Sequence, residues 1–169
     1  MNGPILLCYD GSDDAGTAIE AAGALLPGRD ALVVCFWQPF AQVAKRFAVS
    51  LLEVVQEAAS VNGREAELAR QIADQGAEIA VRVGLRCAAL AVEVSRPVDE
   101  AIIAYADDVD APLIVLGARG RSGIGSMLLG DVSHDVVQRS TRTVMLVPSA
   151  ALSGRRRSEL GELGGSRAD

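Results

Sequence analysis

Aromatic side chains are scarce. One Trp, two Tyr and three Phe make up 4% of 169 residues, so a core has to be built from Ala, Val, Leu and Ile. That suits small-residue helices lying on an aliphatic sheet, an α/β arrangement. Positive charge is short as well: 16 Lys and Arg stand against 22 Asp and Glu, and Lys45 is the one lysine. A net charge of −6 leaves no basic face for a nucleic acid, although a phosphate pocket needs only local amides. Histidine occurs once, as His134. The three cysteines, Cys8, Cys35 and Cys87, lie in apolar stretches without metal-ligand spacing. They read as small core residues, neither a metal site nor a secreted disulfide framework. No apolar run approaches the roughly 18 residues of a membrane span, and no basic-flanked apolar leader precedes the first strand. A cytoplasmic protein without membrane contact is expected.

Half of the residues are hydrophobic, and their spacing alternates between two kinds of segment. Pro4 to Tyr9 is a continuous apolar run of strand length, as in a strand buried on both faces. Asp10-Gly11-Ser12 closes it, and Ser12 or Asp13 can cap a helix carrying Ala15, Ala18, Ile19, Ala22 and Leu25. A second strand runs from Ala31 to Trp37. Val43, Phe47, Leu51, Val54 and Ala58 then step at helical spacing, Asn62-Gly63 predicts a break, and a further helix reaches about Val83 before Gly84 stops it. Cys87 to Val94 forms a third strand. The helix after Pro97 uses Ile102, Ile103 and Tyr105, with Asp107, Asp108 and Asp110 assigned to the loop because a helix C-terminus repels anions. Leu113 to Leu116 and Thr143 to Val147 complete five strands. Residues 1–149 read as one domain, and 150–169, with Arg155-Arg156-Arg157, as a flexible polar tail.

This alternation implies a three-layer fold with a five-stranded parallel sheet and right-handed crossovers. With strand order 3-2-1-4-5, a ligand belongs where the order reverses, beyond the carboxyl ends of the first and fourth strands. The two most distinctive loops meet there. One carries Asp10-Gly11-Ser12; the other runs from Gly117 through Gly120, Gly123 and Gly125 to Gly130, where a helix starts. A glycine-rich loop feeding a helix N-terminus presents backbone N–H groups to an anion. A phosphoacceptor receiver domain is excluded, since it needs an acid after the third strand and a lysine after the fifth. A Walker loop needs Gly-Lys-Ser/Thr after the first strand, and a classical dinucleotide fold needs its glycines there.

Gly117-xx-Gly120, nine residues, then Gly130 resembles the nucleotide-binding signature of the universal stress protein family, G-2x-G-9x-G-S/T. The Tyr-Asp-Gly-Ser after the first strand, Leu-Leu-Gly-x-Val-Ser, and the closing Thr-Val-Met-Leu-Val-Pro are similar to that family too. The resemblance covers about Ile5 to Pro148. It implies a Rossmann-like universal stress protein fold that binds ATP and acts as a nucleotide-responsive module, with at most weak ATP hydrolysis. It also implies a homodimer through the last strand, Thr143, Val144, Met145, Leu146 and Val147, whose aliphatic edge would otherwise be bare. By position, Asp10 approaches the ribose or adenine side and the backbone of Phe36 meets the adenine. Gly117, Gly120 and Gly130 let the chain approach the phosphates. The amides of Asp131 and Val132 and the hydroxyl of Ser133 complete the cradle. Apart from the resemblance, Arg119 and Arg121 flank the loop and read either as phosphate contacts or as ordinary exposed loop arginines.

One position departs from the pattern: Asp131 stands where the family has Ser or Thr. A carboxylate repels a phosphate that a hydroxyl would bind, unless a bridging Mg²⁺ reverses the sign, or its side chain turns away as an ordinary first-turn helix residue. The alternative reading is therefore a dimeric interaction or adaptor protein of the same fold that does not take ATP. His134 is read as a surface or packing residue, and Phe36 and Trp37 as sheet-end aromatics that can stack on a base or cap the core.

Overall fold

A computed structural model of the chain describes residues 3–39, 51–119 and 130–148, with the backbone alone for 51–62. The elements are β1 (Ile5–Cys8), α1 (Asp13–Leu25), β2 (Asp30–Trp37), α2 (Leu51–Arg82), β3 (Arg86–Glu93), α3 (Val98–Asp108), β4 (Leu113–Gly117), α4 (Asp131–Arg139) and β5 (Thr143–Val147). The strands form one sheet in the order β3-β2-β1-β4-β5. Every pairing is parallel. Among the described residues no helix is long and apolar enough to cross a membrane.

Alternate residues of the central strands serve the two faces of the sheet. Ile5, Leu7, Val33 and Val115 pack with Ala15, Ala18, Ile19 and Ala22 of α1 and with Ala80 of α2. Leu6, Val34, Ile114 and Leu116 pack on the other face with Ile102 and Ala106 of α3 and Val136 of α4. Full burial of each such branched side chain is worth about 1.5–3 kcal/mol, which is why the central strands lack the polar alternation of a one-sided sheet. The alanines on the helices let them lie close against this surface.

Two expectations fail, for identifiable reasons. Asn62-Gly63 does not break the helix; α2 continues from Leu51 to Arg82. An exposed Gly costs a helix interior only about 1 kcal/mol, too little against flanking Glu, Ala, Arg and Leu. The helix instead ends at Gly84, whose φ of +86° suits a residue without Cβ. There Gly84 N–H donates to Val81 O at 3.0 Å and Leu85 N–H to Ala80 O at 3.0 Å, a Schellman closure.

The second failure is at the end of α3, where Asp107 and Asp108 are helical, not loop. Arg142, just before β5, supplies the missing cation. Its guanidinium donates to Asp107 Oδ1 at 2.8 Å, Asp110 Oδ1 at 2.7 Å and the Ala111 carbonyl at 3.2 Å. The hydrogen bond and charge of Arg142 hold the Asp110 carboxyl below the ordinary aspartate range. A depressed carboxyl stabilises the fold above its unfolded value, and that contribution disappears as pH falls through the folded one. Arg142→Ala is therefore expected to melt at lower temperature at pH 7. Its deficit against the parent chain should narrow as the pH is taken below about 4, leaving the share due to the Ala111 carbonyl. Melting temperatures from pH 7 to pH 3 check this; a deficit that stays constant contradicts it.

Candidate functional site

Strand order reverses between β1 and β4, and a cavity of about 360 Å³ lies at their carboxyl ends. That falls within the usual span of small-molecule sites, about 300–1,000 Å³. The β2 and α3 side supplies apolar wall: Val34 and Phe36 with Val98 and Ile102, joined by Leu116 of β4. Phe36 is held by an edge-to-face contact with Tyr105, ring centroids 5.8 Å apart. The opposite side is polar and backbone-rich. It consists of Asp10, Gly117, Arg119 and the start of α4, Gly130 to Ser133.

The β1–α1 turn is built by Asp10. Its Oδ1 accepts from Ser12 N–H at 3.0 Å and from the Ser12 hydroxyl at 2.6 Å. Ser12 Oγ in turn caps α1 by accepting from Ala15 N–H at 3.3 Å. Across the crevice Gly117 meets this same turn. A Cβ built on Gly117 would lie 2.7 Å from the Asp14 carbonyl carbon and 2.8 Å from Ala15 N, so glycine is what lets β4 end here. Gly130 N–H donates to Ala118 O at 2.8 Å, and its carbonyl receives His134 N–H at 2.9 Å. Gly130 is the N-cap of α4 and offers no side chain to its first-turn amides; Gly130 to Ser133 border the cavity, so the helix end there is the positive one, which favours an anion.

Of the residues expected from sequence, Asp10, Phe36, Gly117, Arg119, Gly130, Asp131, Val132 and Ser133 all border this cavity. Gly120, with Gly123, Gly125 and Arg121, lies outside the described residues. The expectation for Ser133 needs correction in one respect. Its buried hydroxyl donates to Gly117 O at 2.9 Å, so the proton pins α4 to β4 and is not offered to a ligand. Trp37 packs beside Cys35, Ala69 and Ala73 on the α2 face and is absent from the cavity lining, unlike Phe36. His134 is exposed. Val98, Ile102 and Cys8 also line the cavity and were missed, because a buried apolar residue at helix or strand spacing looks the same whether it faces core or cavity. Burial first, and the charge of Asp10 second, push the Cys8 thiol far up, so it stays protonated and offers no thiolate nucleophile. Among the described residues no group of three or more His, Cys, Asp or Glu converges to hold a metal.

The universal stress protein family model matches residues 1–148. A universal stress protein of Thermus aquaticus is 33% identical over 154 residues, covering 85% of this chain and 96% of that protein. Universal stress protein YxiE of Bacillus subtilis is 28% identical, covering 87% and 99%. Among solved structures, a universal stress protein in complex with cAMP aligns with a TM-score of 0.58 at 23% identity, covering 87% and 97%. One from Archaeoglobus fulgidus in complex with dAMP aligns with a TM-score of 0.52 at 18% identity, covering 87% and 99%. Their fold is the one found here. With the match spanning every described element, the chain belongs to the universal stress protein family.

Proposed function

We propose that this chain binds an adenine nucleotide, ATP foremost, in the β1/β4 crevice and acts as a nucleotide-responsive regulatory module, not as a dedicated enzyme. The observation that carries the reading is the two-sided character of the cavity. An apolar wall of Val34, Phe36, Val98 and Ile102 suits a base, and the uncapped start of α4 beside Gly117 suits phosphate. Relatives of the same fold solved with cAMP and dAMP support it. Asp10, on the polar side of the crevice, is the residue proposed to meet the ribose. Turnover, if any, is slow ATP hydrolysis. Mg²⁺ accompanying the triphosphate would find Asp131 as its carboxylate.

The working unit is proposed to be a homodimer through β5. That strand pairs with β4 by Leu113↔Thr143 through Gly117↔Val147 and ends the sheet, leaving Val144, Met145 and Leu146 on an edge strand, the kind that natural proteins cover.

Native mass spectrometry of the purified chain tests both parts. The expected result is a dimer at micromolar concentration that carries an adenine nucleotide or takes up ATP on addition. A chain that is empty and gives no ATP binding heat with Mg²⁺ refutes the nucleotide reading, and a monomer refutes the dimer. The adaptor reading, in which Asp131 excludes ATP, is the one left standing by an empty dimer.

A further inference from the structure

Among the described residues two polar residues are buried, Asp99 at 7% and Ser133 at 6% exposure. A buried polar group costs free energy unless it is bonded, and both are bonded across elements that wall the crevice. Ser133 Oγ donates to Gly117 O and so fixes the start of α4 to β4. Asp99 ties the other end of α4 to α3. Arg139, in the last turn of α4, donates through one guanidinium nitrogen to Asp99 Oδ2 at 2.7 Å and through another to Glu100 Oε1 at 3.2 Å. Asp99 and Glu100 lie in the first turn of α3, between Val98 and Ile102 of the apolar wall. That turn has no side-chain cap of its own, since its N-cap is Pro97. The helix dipoles favour the contact, with acids at a helix start and a cation at a helix end. An apolar pair could pack there without the desolvation cost, so stability alone does not call for the ion pair.

We propose that Arg139 is a positioning residue for the crevice: by gripping Asp99 it sets the spacing between the apolar wall on α3 and the phosphate end of α4. This deepens the nucleotide reading above and rests on it. A nucleotide whose base meets Val98 and Ile102 and whose phosphate meets the start of α4 engages both walls at once. Each contact then raises the effective concentration of the other, but only while the separation of the walls matches the ligand. Ser133 already holds α4 to the sheet, so what Arg139 adds is the place of the α3 turn relative to it. Its planar fork engages the carboxylates of successive residues, which fixes direction as well as distance. Adenosine, which lacks the phosphate, needs only the apolar wall and is indifferent to the spacing.

Calorimetric titration of the full-length chain with AMP and with adenosine tests this through the ratio of the two affinities. Arg139→Gln is expected to weaken AMP binding about tenfold and to leave adenosine within about twofold of the parent. Because a single replacement strands the Asp99 charge, Asp99→Val/Arg139→Met is the second variant. It removes both charges, restores apolar packing and melts at or above the parent temperature, yet its AMP advantage over adenosine falls about tenfold as well. That combination separates positioning from stability. An unchanged ratio in the folded double variant overturns this proposal alone. So does an equal loss of AMP and adenosine, which is what a general loosening of the fold gives. A parent chain that binds neither AMP nor ATP overturns the nucleotide reading and this one with it.

Discussion

Replacing Gly117 with alanine is expected to destabilise the protein by about 1–3 kcal/mol, although it adds one methyl group and no charge. The new Cβ would sit 2.7 Å from the carbonyl carbon of Asp14 and 2.8 Å from the Asp14 oxygen and Ala15 nitrogen. All three are backbone atoms of a capped helix start, and none can rotate out of the way as a side-chain tip could. Either β4 or the first turn of α1 has to shift, and both border the cavity. A displacement of that wall misaligns Asp10, Arg119 and the start of α4 together, so nucleotide affinity should fall by about tenfold or more along with stability. Gly63→Ala is the internal control. A Cβ there meets nothing within 4 Å, and α2 should gain about 0.4–1 kcal/mol from the lost glycine freedom. Denaturant melts of both variants decide the matter. A Gly117→Ala chain as stable as its parent would mean that the close approach is not a constraint.

Asp131→Ser has the second large expected effect, and it is electrostatic. Asp131 is the first residue of α4 and borders the cavity, at the end of the helix where a phosphate would settle. Two unit charges about 4 Å apart interact by roughly 1 to 4 kcal/mol across plausible effective dielectrics. Serine restores a hydroxyl donor and removes that repulsion, so ATP should bind about tenfold tighter or more when magnesium is absent. With Mg²⁺ present the difference should narrow, because the parent carboxylate then has a cation to hold. Stability should change little, since a first-turn carboxylate is worth only about 0.3–1 kcal/mol to a helix. Titration calorimetry with and without Mg²⁺ reads all of this. Equal affinity for ATP in both chains would show that the Asp131 carboxylate points away from the phosphates.

The residues that disclosed the fold did so because their environments leave a mark on sequence. Strands buried on both faces, such as Ile5–Cys8 and Leu113–Gly117, can only be apolar runs. Helix ends leave Ser12 or Gly84 behind. The order 3-2-1-4-5, once taken, brings the two distinctive loops to one crevice, and the structure has that order. What escaped depended on distant partners. Asp107 and Asp108 stay helical because of Arg142, more than thirty positions later. The Ser133 proton is taken by Gly117 O, a group with no side-chain identity. Asp14 reads as one more acid at a helix start, and nothing local shows that Arg119 comes to lie beside it. Asn62-Gly63 misled for the opposite reason: a local signal was outweighed by the helix on either side.

The pairing of β1 with β4 also governs when the crevice can exist. Leu6 lies beside Ile114 and Leu7 beside Val115, so the first strand made is completed on one side by a strand near the end of the domain. A chain emerging from the ribosome can lay β2 and β3 against β1 early, yet the far wall of the cavity is missing until Gly117 and α4 have been made. Contacts of such long sequence separation close late and slowly. The crevice is thus assembled after most of the sheet, and any chain ending before Leu113 has an Asp10 turn with nothing opposite it.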